Sequence, residues 1–206
     1  ECESSSWVSD KFTTSQILIT PYFEDFDGLG STPGEITETL PGWFGVGNET
    51  CKPYINTGAV DLATRVSLSS DSSYVLCFNG DGEIKKKNAG KVAIPSAATS
   101  YIAMPPFDVD INKLYLTFNT IRPYGYDISE TNSIVVGVMT NTADKATFEP
   151  VDTVRINTLN KFEEAVVSFA NYQGTGKHIT FMSNFAEETN TFFIDDLYVD
   201  VIPTDK

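Results

Sequence analysis

The stretch TFFIDDLYVDV, Thr191 to Val201, is the one whose reading decides the fold. Its aromatic and β-branched residues suit a pleated strand that is at least half buried. Two carboxylates, Asp195 and Asp196, stand side by side in its middle. Successive side chains on a strand point to opposite faces, so one of the two is turned toward whichever face is core. The odd positions Thr191, Phe193, Asp195, Leu197, Val199 and Val201 form the apolar face, and the even positions Phe192, Ile194, Asp196, Tyr198 and Asp200 a wetter one. Asp195 is therefore expected on the apolar face, and Asp196 beside solvent. The same test on PYFEDFDG (21–28) groups Tyr22, Glu24 and Phe26 against Asp25 and Asp27.

Glu24 and Asp195 are thus two acids embedded in apolar stripes near opposite ends of the chain. An isolated carboxylate under such cover is costly unless it is protonated, paired or bound to a metal. Cations are in short supply, with 14 Lys and Arg against 28 Asp and Glu, a formal charge of −14. A Ca2+ ion compensates more economically, because it accepts carboxylates and main-chain carbonyls in flexible geometry. It would tie the first strand to the last. The competing explanation is an edge position or a β-bulge that turns Asp195 to solvent. Parity alone does not separate the two.

Outward from this stretch, almost everything reads as strand. QILIT (16–20) leads into PYFEDF; SSYVLCF (72–78), KLYLTFNTI (113–121) and SIVVGVM (133–139) follow. VDTVRI (151–156), FEEAVVSF (162–169) and HITFMS (178–183) precede the last strand. In KLYLTFNTI, Leu114, Leu116 and Phe118 share one face while Tyr115, Thr117 and Asn119 share the other. Turn clusters such as NGDGE, PYGYD, NTAD and YQGTG separate the strands, and no segment holds a helical period for three turns. Many short strands without crossover helices point to an all-β, two-sheet antiparallel jelly-roll sandwich. Residues 1–20 read as an approach or linker segment, residues 21–206 as the sandwich, and residues 28–60, with several Gly and Pro, as long loops.

The acidic balance disfavours nucleic acid and anionic membrane surfaces, whose contacts come from cationic side chains. No apolar run approaches a membrane span, so no direct membrane insertion is expected. Glu1 reads as the start of a processed segment. The basic run Lys85–Lys87 follows a turn-like NGDG and reads as a solvated hairpin. Cys2, Cys51 and Cys77 match no zinc template; one disulfide plus a free thiol, or no disulfide, both fit.

PYFEDFDG, LPGW, SSDSSYVLCF, KLYLTF, VVGVMTNTADKATFEPVDTV, NYQGTGKHITF and FFIDDLYV occur in one order over about residues 20–202. That series resembles the jelly-roll domains of Bacteroidetes surface proteins, of the cleaved-adhesin and choice-of-anchor type, and more distantly MAM domains. The resemblance implies export to the cell surface or periplasm and a non-catalytic adhesive or glycan-binding role within a longer multi-domain chain. It also implies a structural calcium ion joining the FE of the first strand to the first Asp of IDD, here Glu24 and Asp195. Loop oxygens of Asp71 and Asp27 are expected to complete the shell. The insert NGDGEIKKKNAGKVAIPSAATSY lies outside the pattern.

Enzymatic readings find little support. His178 is the only histidine, its place at a strand start explains it, and nothing marks an activated nucleophile beside it. A sandwich hydrolase with paired carboxylates would set several Glu and Trp on one concave sheet, and there are only two Trp. GTGK (174–177) lacks phosphate-loop spacing, and DVDIN (108–112) imitates the start of a calcium loop without its later glycine and glutamate. It reads as a turn feeding KLYLTF. The candidates for stacking on sugar are loop aromatics: Trp43 in GWFG, and Tyr124 and Tyr126 with Arg122 in RPYGYD. The expected partner is a glycan or a cell-surface protein. The alternatives are a purely structural spacer module and, less favoured, a glycan-active hydrolase.

Overall fold

The computed structural model describes residues 16–26, 40–46, 54–57, 74–79, 99–121, 133–156, 161–184 and 191–204. Among these lie eleven strands: β1 (Tyr22–Glu24), β2 (Phe44–Val46), β3 (Tyr54–Thr57), β4 (Tyr74–Asn79), β5 (Thr99–Ala103), β6 (Leu114–Ile121), β7 (Ser133–Met139), β8 (Phe148–Arg155), β9 (Glu163–Ser168), β10 (His178–Asn184) and β11 (Thr191–Val201). Every named strand pair is antiparallel. They form two sheets, one ordered β3-β4-β11-β6-β9 with β1 also on β11, the other β2-β5-β10-β7-β8. This is the all-β two-sheet sandwich that the strand pattern implied. No helix among the described residues is long and apolar enough to cross a membrane.

The inner faces carry the alternation read from the sequence. Leu114, Leu116 and Phe118 of β6 meet Ile134, Val136 and Val138 of β7 and Ile179 and Phe181 of β10 in one buried cluster. Phe118 and Phe181 lock edge to face across the gap between the sheets, with centroids 5.4 Å apart. Burying an aliphatic or aromatic side chain of this size stabilises by roughly 1.5–3 kcal/mol. The strands therefore hold by their inward rows. A smaller cluster of Tyr101, Ala103 and Met139, with Phe44, Phe148 and Met182 against it, lies apart from this core.

The fold departs from the sequence reading in three places. Residues 28–60 are not all loop, because β2 and β3 fall inside that range and pair with β5 and β4. Three- and four-residue strands are too short to show a period, and partner strands supply their hydrogen bonds. The last three residues of the stretch read as an insert, Thr99 to Tyr101, belong to β5, an interior strand between β2 and β10. Among the described residues QILIT pairs only through Leu18, in a parallel bridge to Phe107, and Leu18 is buried in the core while Ile17 and Ile19 are exposed.

β11 is the spine of the six-stranded sheet. β6 lines one of its edges from Phe193 to Val201. Its other edge is shared end to end, by β4 over Thr191–Ile194 and by β1 over 197–199. Asp195 and Asp196 occupy the seam between these two partners. There the ladder to β6 slips: Asp195 faces Asn119 and Tyr198 faces Thr117, so three steps on β11 span two on β6. One extra residue makes a β-bulge.

Candidate functional site

The bulge reverses the parity of β11. Ile194 lies in the main core and so do Leu197 and Val199, so inward positions switch from even to odd across the seam. Asp195 is opposite Asn119, on the register of β6 that turns away from Leu116 and Phe118. The expectation that Asp195 shares a face with Leu197 and Val199 is therefore corrected, because a period-2 count does not survive an inserted residue. Asp195 is buried all the same, at 1% exposure. The bulge does not deliver it to solvent.

Asp196 builds the bulge. Its φ of 48° is left-handed, a conformation that Asp tolerates better than most side chains because its short polar group bonds locally. Its backbone N–H donates to Oδ1 of Asp195 at 3.0 Å, and its own Oδ2 accepts from Nδ2 of Asn119 at 2.8 Å. Asp196 is half-buried and not a bystander beside solvent, as the sequence had suggested. The adjacent acids divide the work: one receives the N–H at the bulge, the other anchors it to β6.

Glu24 ends β1 opposite Leu197, two residues along β11 from Asp195. Its Oε2 accepts from the Tyr22 hydroxyl at 2.9 Å and its Oε1 from the Phe26 backbone N–H at 3.0 Å. Burial pushes the Glu24 carboxyl above its ordinary value, and these two hydrogen bonds offset part of that shift. The Tyr22 hydroxyl is raised too, first by burial and then by the Glu24 charge beside it. Phe26 turns the chain with a φ of 60° and is itself fully buried. Its ring packs edge to face on Trp43, with centroids 6.5 Å apart.

Trp43 is placed by a tight turn. Its N–H donates to the Leu40 carbonyl at 3.1 Å, with Pro41 and Gly42 between them and Gly42 at φ 79°. Pro followed by a left-handed Gly is the sequence of a type II turn. The turn swings the indole into the core, where it is 4% exposed. The reading of Trp43 as an exposed loop aromatic is corrected on this ground: the indole is packed in the core against Phe26. Arg122, Tyr124 and Tyr126 lie outside the described residues, as do Asp27 and Asp71.

The two acids that the sequence singled out lie on adjacent strands at the seam: Glu24 pairs with Leu197, and Asp195 stands two residues earlier on β11, with Asp25 and Asp196 next to them in sequence. The donors are hard oxygens, the set that calcium takes and that soft metals do not. Among the described residues no group of three or more His, Cys, Asp or Glu side chains forms a ready cage. A full shell would need main-chain, water or further loop oxygens.

His178 opens β10, and its Nδ1 donates to the Met104 carbonyl at 2.9 Å. That is a structural use of the ring at a strand start. The sequence missed a different feature, a row across the outer face of the six-stranded sheet. Phe23 is opposite Tyr198, Tyr198 opposite Thr117, and Thr117 opposite Val166. Phe23 and Val166 are exposed. The signal was present as odd-even alternation in YFE and EEAVVS, but it emerges only once register is known.

No family model and no curated protein matches the chain. Solved structures do match in shape. The K1 cleaved adhesin domain of Lys-gingipain from Porphyromonas gingivalis aligns with a TM-score of 0.58 at 11% identity, covering 89% of this chain and 99% of that one. The K2 cleaved adhesin domain of Lys-gingipain aligns with a TM-score of 0.59 at 12% identity, covering 88% and 100%. An arabinose-bound α-L-arabinofuranosidase aligns at 0.52 and 13% identity, covering 87% of this chain but only 26% of the enzyme. At such identities the likeness is one of fold: the chain is a β-sandwich built like these bacterial adhesin domains.

Proposed function

We propose that this chain is a non-catalytic, calcium-stabilised adhesion or carbohydrate-binding module of an exported or surface-located bacterial protein. The observation that carries the reading is the seam of β11. A carboxylate at 1% exposure and a second, half-buried one on the adjacent strand stand where the strand changes partners. Burial is the main cause that raises the Glu24 carboxyl above its ordinary value; a cation would oppose that shift and join β1 to β11. Glu24 and Asp195 would hold the ion. Its contribution is charge compensation and cross-linking of strands, with no part in bond making.

The comparison with adhesin domains supports the same reading. Those domains are spanned almost end to end, whereas the hydrolase is matched over a quarter of its length. The engagement of His178 by a backbone carbonyl agrees with a binding module rather than a general-base site. The partner would be a glycan or a cell-surface protein met outside the cell. The test is a screen of the 206-residue chain against an array of glycans and surface-protein fragments, with polysaccharide turnover assayed in parallel. Saturable binding without turnover is the expected result. Turnover abolished by one Asp or Glu substitution would replace this reading with a hydrolase, and no ligand at all would replace it with a spacer.

A further inference from the structure

One end of the sandwich carries a cleft of about 350 Å3. It lies between the loop that runs through Phe107, Asp110 and Asn112 into β6 and the loop of Tyr172, Thr175 and Lys177 that precedes β10. That volume is at the small end of small-molecule sites, which run to about 300–1,000 Å3. Its apolar lining is fixed: Phe107 is 9% exposed, Ile111 5% and Tyr172 8%, and all three belong to the core cluster.

The walls are also held in place. The Tyr172 hydroxyl accepts from the Gly176 N–H at 2.9 Å, and the Lys177 N–H donates to the Met139 carbonyl at 3.1 Å. A Cβ on Gly176 would press on Val138, the Met139 carbonyl and that same hydroxyl, at 2.6, 2.9 and 2.8 Å. Glycine lets the loop lie this close, so the cleft is formed before any ligand arrives. Preformed walls lower the ordering cost of binding.

The polar rim has spare capacity. Both hydrogen bonds to Asp108, from the Thr20 N–H and hydroxyl, use Oδ1. The ion pair from Lys113 to Asp110 uses Oδ2. Among the described residues one oxygen of each carboxylate is left over, and the side chains of Asn112, Thr175 and Lys177 make no hydrogen bond or ion pair. Acceptors, donors and groups that do both therefore converge over an aromatic and aliphatic floor. That combination suits a ligand whose hydroxyls both donate and accept and whose C–H face is apolar. Two carboxylates in the rim and a chain charge of −14 disfavour an anionic ligand. A bare cation would make no use of the floor.

We propose that this cleft is the ligand site of the module and takes the end of a neutral saccharide chain. This assignment rests on the carbohydrate-binding reading above and locates it. The experiment is an amide NMR titration of the full chain with glucose, galactose, mannose, N-acetylglucosamine and their disaccharides, each alone, and then with calcium chloride alone. The expected result is shifts at Asn112 and residues 174–177 with at least one saccharide. In Thr175→Trp, which fills the cleft from an exposed position, binding should weaken about tenfold or more, and Lys177→Ala should weaken it less. Unchanged melting of both variants would show that they fold. Saccharide shifts confined to another surface, such as the row of Phe23 and Val166, would overturn this site and leave the carbohydrate reading standing. Shifts from no saccharide would overturn both, and shifts at the cleft from calcium alone would overturn the saccharide assignment.

Discussion

The side-chain amide of Asn119 donates to Oδ2 of Asp196 at 2.8 Å, from β6 to the residue that makes the bulge in β11. This bond crosses the ladder at the point where its register slips. It fixes where the extra residue sits, and with it which side chains of β11 face the core on either side.

Asp196→Ala should destabilise by about 1–3 kcal/mol, from loss of a bond to a charged group and of the polar side chain that lets Asp tolerate the left-handed region better than Ala. Asp196→Gly loses the bond but accepts the conformation, so it should cost less than Ala. Chemical denaturation of the two variants side by side checks the order. An equal loss would mean that the backbone conformation at Asp196 carries no cost.

The same seam has a pH signature. The folded-state pKa of Glu24 is raised above its ordinary 4.5, mainly by burial. A raised acid binds more protons folded than unfolded, so its contribution to stability falls as pH rises from the unfolded value through the folded one. In chelator, Glu24→Gln should remove that fall and be neutral or stabilising at pH 7. In calcium the sign should reverse, because the variant loses a ligand of the proposed ion. Melting curves at several pH values, with and without calcium, read both effects.

Gly137 sits at the second register shift, between β7 and β8. A Cβ there would run into the Glu149 carbonyl and the Phe148 ring. Gly137→Ala should destabilise by about 1–3 kcal/mol, the range for overpacking a filled site. Retention of wild-type stability would show that β8 can move aside.

Trp43→Ala should cost about 3–5 kcal/mol, as for other buried large aromatic side chains. Trp43→Phe should retain most of the stability and all of the ligand binding. A Phe variant that is stable but fails to bind would return Trp43 to the ligand site.

The architecture was legible wherever a strand is long and buried on one face. β6, β7 and β10 carry their alternation openly, and Leu114, Leu116 and Phe118 lie where the period places them. β2 and β3 were not legible, since three or four residues hold too little pattern. β11 misled for a different reason. Its composition announces a strand, and its acids announce a site, but Asp196 is an inserted residue that only pairing with Asn119 and Thr117 reveals. Glu24 and Asp195 stand out in the sequence as acids among apolar neighbours, and the fold sets them on adjacent strands, β1 and β11. The face assigned to Asp195 was not recoverable, because parity is a local count and a bulge is set by the partner strand. Trp43 failed as an exposed loop aromatic because exposure depends on where a Pro-Gly turn points its next side chain.

The central claim is that a calcium ion joins β1 to β11 through Glu24 and Asp195. Its most direct test is the melting temperature of the metal-stripped chain before and after calcium, with elemental analysis of the protein as purified. At calcium about a hundredfold above its dissociation constant, the midpoint should rise by about 5–10 °C. Asp195→Asn should abolish the rise and Asp196→Asn should retain it. An unchanged midpoint in the parent chain, with no metal in the purified protein, would contradict the claim.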